Sequence, residues 1–64
     1  MKFKDIKQHV DKTRLAEQFN VTWQSKYSCS PRYMDFAMFE VLRDMGFNGI
    51  HNKTIEALLQ WIEA

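Results

Sequence analysis

Three residues of this sequence have side chains that commonly act as nucleophile, general base or metal ligand. They are His9, Cys29 and His51, and they stand 20 and 22 positions apart. Zinc sites and catalytic Cys–His pairs that can be identified from sequence have characteristic ligand spacings, and these intervals match none of them. We therefore predict that the chain is not an enzyme and has no catalytic residue, no cofactor and no bound metal.

The acidic residues that could form a general acid–base pair are better interpreted as partners in ion pairs. Asp35, Glu40 and Asp44 fall on helical turns beside Arg32 and Arg43. Opposite charges three or four positions apart on a helix meet on its surface and stabilise it slightly. The pattern is typical of a solvated helix face.

Aromatic and basic residues alternate between positions 23 and 33. The segment contains Trp23, Lys26, Tyr27, Arg32 and Tyr33. Such side chains can stack on nucleobases or anchor a protein interface. A core role for Trp23 is as well supported as an interface role, whereas Tyr27 is predicted to lie in an interface.

The charges are distributed unevenly along the chain. Residues 1–32 contain seven basic and three acidic residues, a balance of +4, while residues 33–64 contain two and five, a balance of −3. Opposite charge on two halves favours an interaction surface, or attraction between two copies of the chain. The simpler interpretation is that these charges form ordinary solvated faces.

The central element that positions these residues is a helix predicted over residues 31–45. Ser30 suits its N-cap, Pro31 its first position and Gly46 its left-handed end, after which Phe47 folds back. Phe36 and Phe39 lie off its apolar stripe, which predicts that the N-terminal segment or a second molecule covers them, with self-association as the expected route. The stripe itself follows helical spacing and comprises Met34, Ala37, Met38, Val41, Leu42 and Met45.

A second helix is predicted over residues 53–64, with Asn52 or Thr54 as its cap. Residues 46–51 form a connection short enough to make it an antiparallel neighbour of the central helix. Its apolar residues recur at the spacing of one helical face and comprise Ile55, Leu58, Leu59 and Ile62.

The N-terminal part predicts a helix over residues 4–19 with a bend near Thr13, where Thr13 or Asp11 could cap a second segment. Residues 20–29 are ambiguous. Their apolar residues alternate as in a strand, yet Trp23 and Tyr27 also stand one helical turn apart. A short helix or irregular segment is favoured over a single strand, because a lone strand has no partner for its hydrogen bonds.

Two stretches resemble parts of DNA-binding families. Residues 13–22 resemble the first helix and turn of a helix-turn-helix, although Lys26 and Pro31 depart from its second helix. Residues 19–23, followed by helices from Pro31 and Asn52, are similar in order to a ribbon–helix–helix protein. These resemblances and the basic N-terminal half imply nucleic-acid contacts at Lys12, Arg14, Asn20, Thr22, Gln24, Lys26 and Lys53.

The sequence therefore predicts one all-α domain over residues 1–64, a compact bundle of three or four helices. The lone cysteine and the absence of an apolar run at the start or of membrane-spanning length favour the cytoplasm. The leading hypothesis is a non-enzymatic regulatory or adaptor protein, similar in size to phage accessory proteins, which docks on a protein partner and self-associates as a homodimer. The alternative is a DNA-binding regulator. The predicted partner interface comprises Trp23, Tyr27, Arg32, Phe36, Phe39 and Arg43.

Overall fold

Four α-helices and one short 3-10 turn make up the fold, and the computed structural model describes residues 2–64. No strand occurs in this range, so the predicted all-α class is confirmed. Within it, no helix has the length and apolar character needed to cross a membrane. The elements are α1 (Phe3–His9), α2 (Lys12–Tyr27), a 3-10 turn (Pro31–Tyr33), α3 (Met34–Asp44) and α4 (Asn52–Glu63).

Every α-helix contributes to one apolar core. The central stripe of α3 is buried as predicted, with Met34 and Met45 at its half-buried ends. α3 contacts α2 more extensively than any other helix, and α4 packs against α1, α2 and α3. The fully or almost fully buried apolar residues are Ile6, Leu15, Phe19, Ala37, Met38, Val41, Leu42, Phe47, Ile55 and Leu58.

The N-terminal helix is broken, but the break lies earlier than predicted. α1 ends at His9, and Val10 and Asp11 have extended backbones. Of the two predicted caps, Asp11 is the one used: its carboxylate accepts a hydrogen bond from the Arg14 backbone N–H at 3.0 Å. The break allows Ile6 and Leu15, which lie on different helical faces in sequence, to enter the same core.

Most of the ambiguous segment is helical and continues α2 as far as Tyr27. Trp23 and Tyr27 both pack against the core, whereas Val21 is exposed, so the strand-like alternation does not match the burial. Ser28 and Cys29 then adopt left-handed conformations, with φ of 51° and 57°, and reverse the chain. A residue with a side chain is strained in the left-handed region of backbone conformation. Contacts with the rest of the folded chain must therefore stabilise Ser28 and Cys29 in it.

The connection between α3 and α4 follows the predicted pattern. Gly46 is left-handed, with φ of 98°, and the Phe47 N–H donates to the Leu42 carbonyl at 3.0 Å. This is the Schellman arrangement, which brings Phe47 back into the core. The cap expected for α4 is wrong, because the helix begins at Asn52 and His51 occupies the cap position without a side-chain bond. Ser30 occupies the cap position of the 3-10 turn, and its side chain also makes no capping hydrogen bond.

Contacts between α1 and the end of α4 close the bundle. The Phe3 and Trp61 rings meet edge to face at 6.0 Å between centroids, and the Lys7 ammonium lies over both. The Lys12 ammonium donates to the Ala64 carbonyl oxygen at 2.7 Å. These aromatic and basic side chains are therefore engaged in contacts within the subunit.

Replacing Asp11 by alanine tests the cap of α2. The Asp11→Ala variant leaves the Arg14 N–H without its acceptor, so we expect the free energy of unfolding to fall by about 1 kcal/mol. Urea denaturation followed by circular dichroism measures the loss. Glu17→Ala, which changes an exposed acid in the middle of the same helix, is the matched control; equal losses in both variants would contradict the assignment of Asp11.

Candidate interaction surface

The residue types suited to catalysis or metal binding are exposed and dispersed. His9, Cys29 and His51 all lie at the surface. Residues 2–64 contain no group of three or more histidine, cysteine or acidic side chains placed to hold a metal ion. That the chain is not an enzyme stays a prediction.

An open cleft of about 430 Å³ lies where the α1–α2 junction faces the end of α3. Val41 and Phe47 form part of its apolar wall, and charged groups of both signs surround them. Asp11, on its rim, already accepts the capping bond from Arg14. The sequence contained no local signal for this cleft, because its lining comes from distant positions: His9, Val10, Asp11, Arg14, Gln18, Val41, Asp44, Met45 and Phe47.

The side of α3 that faces away from the core carries a row of aromatic rings. Phe36 is 57% exposed and Tyr33 is 39% exposed, with 5.7 Å between their ring centroids. Tyr33 also stacks on half-buried Tyr27 at 5.6 Å. The three rings form a continuous apolar strip from the end of α2 to the first turn of α3, which we call the aromatic row. We call the surface formed by Arg32, Tyr33, Phe36, Phe39, Glu40 and Arg43 the α3 outer face.

Phe39 differs from Phe36, although both lie off the buried stripe. Phe39 is half-buried and packs against the core, beside a shallow groove of about 240 Å³ formed with Arg43 and residues 47–50. The expectation that both phenylalanines need a second molecule therefore applies to Phe36 alone.

Trp23 lies beside the core and supports the chain reversal. Its ring stacks on Phe19 at 5.6 Å, and its indole N–H donates to the Ser30 carbonyl oxygen at 2.7 Å. The Ser28 and Cys29 N–H groups both donate to the Trp23 carbonyl oxygen. The side chain and the backbone carbonyl of Trp23 thus both bond to the chain reversal. Trp23 thereby positions the turn between Tyr27 and Tyr33 of the aromatic row.

An ion pair connects the end of α2 to the α3 outer face. The Lys26 ammonium lies 2.9 Å from the Glu40 carboxylate, and the Tyr27 hydroxyl donates to the other Glu40 oxygen at 3.5 Å. The hydrogen bond to Glu40 and its negative charge raise the pKa of Lys26 above 10.5. Arg32 and Arg43, the remaining predicted interface cations, are exposed.

The residues predicted to contact nucleic acid do not form one surface of free cations. Lys12 is bound to the Ala64 carbonyl and Lys26 to Glu40. α2 continues through Asn20, where a helix-turn-helix needs its turn, and residues 19–23 are helical where a ribbon–helix–helix needs a strand. Neither family's geometry is present at these positions. Arg14, Asn20, Gln24 and Lys53 are exposed and Thr22 is half-buried.

Sequence reasoning did not predict the exposure of Val21. This side chain is 65% exposed on the outer side of α2, one turn from Glu17 and Ser25. The polar residues one helical turn before and after Val21 indicate an exposed position. This pattern can be recognised only once the segment is known to be a helix. An isolated exposed valine of this kind is ordinary in proteins.

Replacing Trp23 by phenylalanine separates its hydrogen bond from its ring. Trp23→Phe keeps an aromatic ring near Phe19 but leaves the Ser30 carbonyl without its donor, so we expect a loss of about 1–2 kcal/mol in the free energy of unfolding. Thermal and urea denaturation measure it. Trp61→Phe is the control, because that indole contacts Phe3 and Lys7 through its ring; a larger loss there would argue against the supporting role of Trp23.

The ion pair predicts a dependence of stability on alkaline pH. Because folding raises the pKa of Lys26, its contribution is complete below the unfolded pKa of about 10.4 and is lost as the pH rises through the higher folded value. We expect wild type to be more stable than Lys26→Gln at neutral pH, and the difference to disappear in strong alkali. Denaturant titrations across this range, with Lys53→Gln as control, measure it; a difference that persists would refute the contribution of this charge.

No protein-family model matches this sequence, and no curated protein or solved structure shows a significant match to it.

Proposed function

We propose that this chain is a non-enzymatic docking protein of the regulatory or adaptor type, which associates through the α3 outer face with a second copy of itself. The observation that carries the proposal is the exposure of Phe36, 57%, at the end of the aromatic row. Aromatic residues, phenylalanine among them, and arginine are enriched at protein interfaces relative to the rest of the surface.

The aromatic row differs from the other exposed apolar residue. Val21 is more exposed than Phe36, but it stands alone among polar neighbours. Tyr33 and Phe36 are adjacent to each other and continue into Tyr27. A contiguous apolar surface rimmed by charge indicates an interaction site, whereas scattered apolar side chains do not.

The charges around Phe36 favour a protein partner over a nucleic acid. Arg32 and Arg43 are the basic residues of the α3 outer face and Glu40 is its acidic residue, while Asp35 and Asp44 lie at neighbouring positions of α3. A polyanion gains affinity from a cluster of cations without acidic neighbours, whereas these two arginines stand among acidic residues. A protein surface with charges of both signs can complement it.

The single subunit is already compact. The radius of gyration is 10.6 Å, close to the value of about 10.7 Å expected for a compact domain of this length. The accessible surface is 4550 Å², against about 4,300 Å² for a folded monomer of this mass. We therefore expect docking to occur between folded chains, and substitutions of Phe36 to leave the subunit folded.

Sedimentation velocity over a range of protein concentrations tests the proposal. We expect wild type to associate reversibly and Phe36→Asp to remain monomeric, because the change places a charge in the centre of the contact. Val21→Asp, at the equally exposed site on α2, should associate like wild type. Circular dichroism should show all three proteins to be folded.

Two results would overturn the proposal. One is a wild-type chain that stays monomeric to millimolar concentration; the other is an association that Phe36→Asp leaves unchanged. A duplex DNA titration at two salt concentrations provides the competing outcome. Binding that weakens steeply with salt and is unaffected by Phe36→Asp would replace docking by nucleic-acid binding as the function.

A further inference from the structure

We infer that two copies of this chain pack their α3 helices antiparallel about a two-fold axis that passes beside Phe36. The inference depends on the proposed docking through the α3 outer face and specifies its geometry. Most homodimers have such an axis, and their interfaces must be self-complementary. For antiparallel helices, a residue a given number of positions before Phe36 then faces the residue the same number after it.

Aromatic residues satisfy this condition. Tyr33 and Phe39 lie three positions before and after Phe36, so each would face the other across the axis. At about 1.5 Å per residue, Phe39 lies about 4.5 Å along α3 from the axis. The Tyr33 ring of the second copy would lie level with Phe39, on the flank of α3 where Tyr27 bonds to Glu40.

Charged residues also satisfy the requirement that residues equally far before and after Phe36 be complementary. Arg32 and Glu40 lie four positions before and after Phe36, so the symmetric contact would contain two Arg32–Glu40 pairs. Lys26 approaches one carboxylate oxygen of Glu40 at 2.9 Å, while the other has only the long bond from Tyr27. That oxygen can still accept a hydrogen bond from a guanidinium group.

The same charges oppose a parallel arrangement. If the two α3 helices ran in the same direction about a two-fold axis, each residue would face its own copy. Arg32 would meet Arg32, Glu40 would meet Glu40 and Arg43 would meet Arg43. Like charges placed directly opposite one another weaken an interface and discriminate against that partner geometry.

Disulfide formation between two different single-cysteine variants tests this register. Cys29→Ser removes the native thiol, and Arg32→Cys or Glu40→Cys is added to separate chains, both of which keep Phe36. The two proteins are mixed in equal amounts and oxidised with glutathione disulfide. We expect the mixed covalent dimer as the main product, identified by mass, because the axis brings positions 32 and 40 together.

Each variant oxidised alone is the matched control. Position 32 lies in the 3-10 turn, whose rise per residue exceeds that of α3, so in the antiparallel register its two copies lie at least about 12 Å apart along the helix direction. This is beyond the Cα separation of about 7 Å that a disulfide tolerates. Efficient dimers of either variant alone, at or above the yield of the mixed dimer, would overturn the antiparallel register. They would indicate parallel packing or a nonspecific encounter.

Charge reversal supplies a second measurement in chains without new cysteines. Arg32→Glu should weaken self-association roughly 5- to 30-fold, since it turns two attractions into repulsions. Arg43→Glu, on the same face but without an acidic residue opposite, should change it less than about twofold. Equal effects of the two reversals would contradict the register.

The outcomes separate this inference from the proposed function. Loss of association in Phe36→Asp, combined with no mixed disulfide and equal charge-reversal effects, would overturn the register while leaving docking through the α3 outer face intact. A wild-type chain that never associates would overturn both. The mixed disulfide together with a selective Arg32→Glu effect would support both.

Discussion

The packing of α3 on one side only is the constraint that governs this structure. Ala37, Met38, Val41 and Leu42 are buried on that side, and α2 and α4 supply the surfaces that cover them. On the opposite side, the end of α2 reaches Glu40, but nothing within residues 2–64 buries Phe36. The exposure of Phe36 is therefore a consequence of how the core is made. Phe39, also off the buried stripe, packs against the core of its own chain, so Phe36 is the residue on this side that only another molecule could cover.

The core and the exposed surface are connected through Trp23. Its ring belongs to the inner side of α2, while its indole N–H and backbone carbonyl hold the reversal at residues 28–30. That reversal determines where the 3-10 turn begins, and hence where Tyr33 meets Phe36. Trp23 therefore influences the aromatic row without being part of it. Two successive left-handed residues cost conformational free energy, and the hydrogen bonds made with Trp23 offset that cost and hold the turn in its conformation.

The sequence predicted α3, α4 and the connection between them because several local signals agree there. The burial stripe, Gly46 and Phe47 all indicate the same helix end. Residues 20–29 were ambiguous because Trp23 and Tyr27 fit either period, and continuing an existing helix costs less than forming an unpaired strand. Phe39 was misinterpreted because it packs partly against the core of its own chain, beside the loop at residues 47–50. The exposure of Phe36 was predicted, since it depends only on its angle around α3.

The small size of the chain limits the contact area that the α3 outer face can provide. A standard interface takes about 800 Å² from each partner, roughly a sixth of the 4550 Å² surface of this chain. One helix of eleven residues is about 16 Å long, so its outer face alone is short of that area. The flanks must contribute: Lys26 and Tyr27 on one side and the loop at residues 47–50 on the other. In the proposed dimer, two-fold symmetry would use each flank twice, which would let a small folded chain form a specific contact whose extent depends on its own concentration.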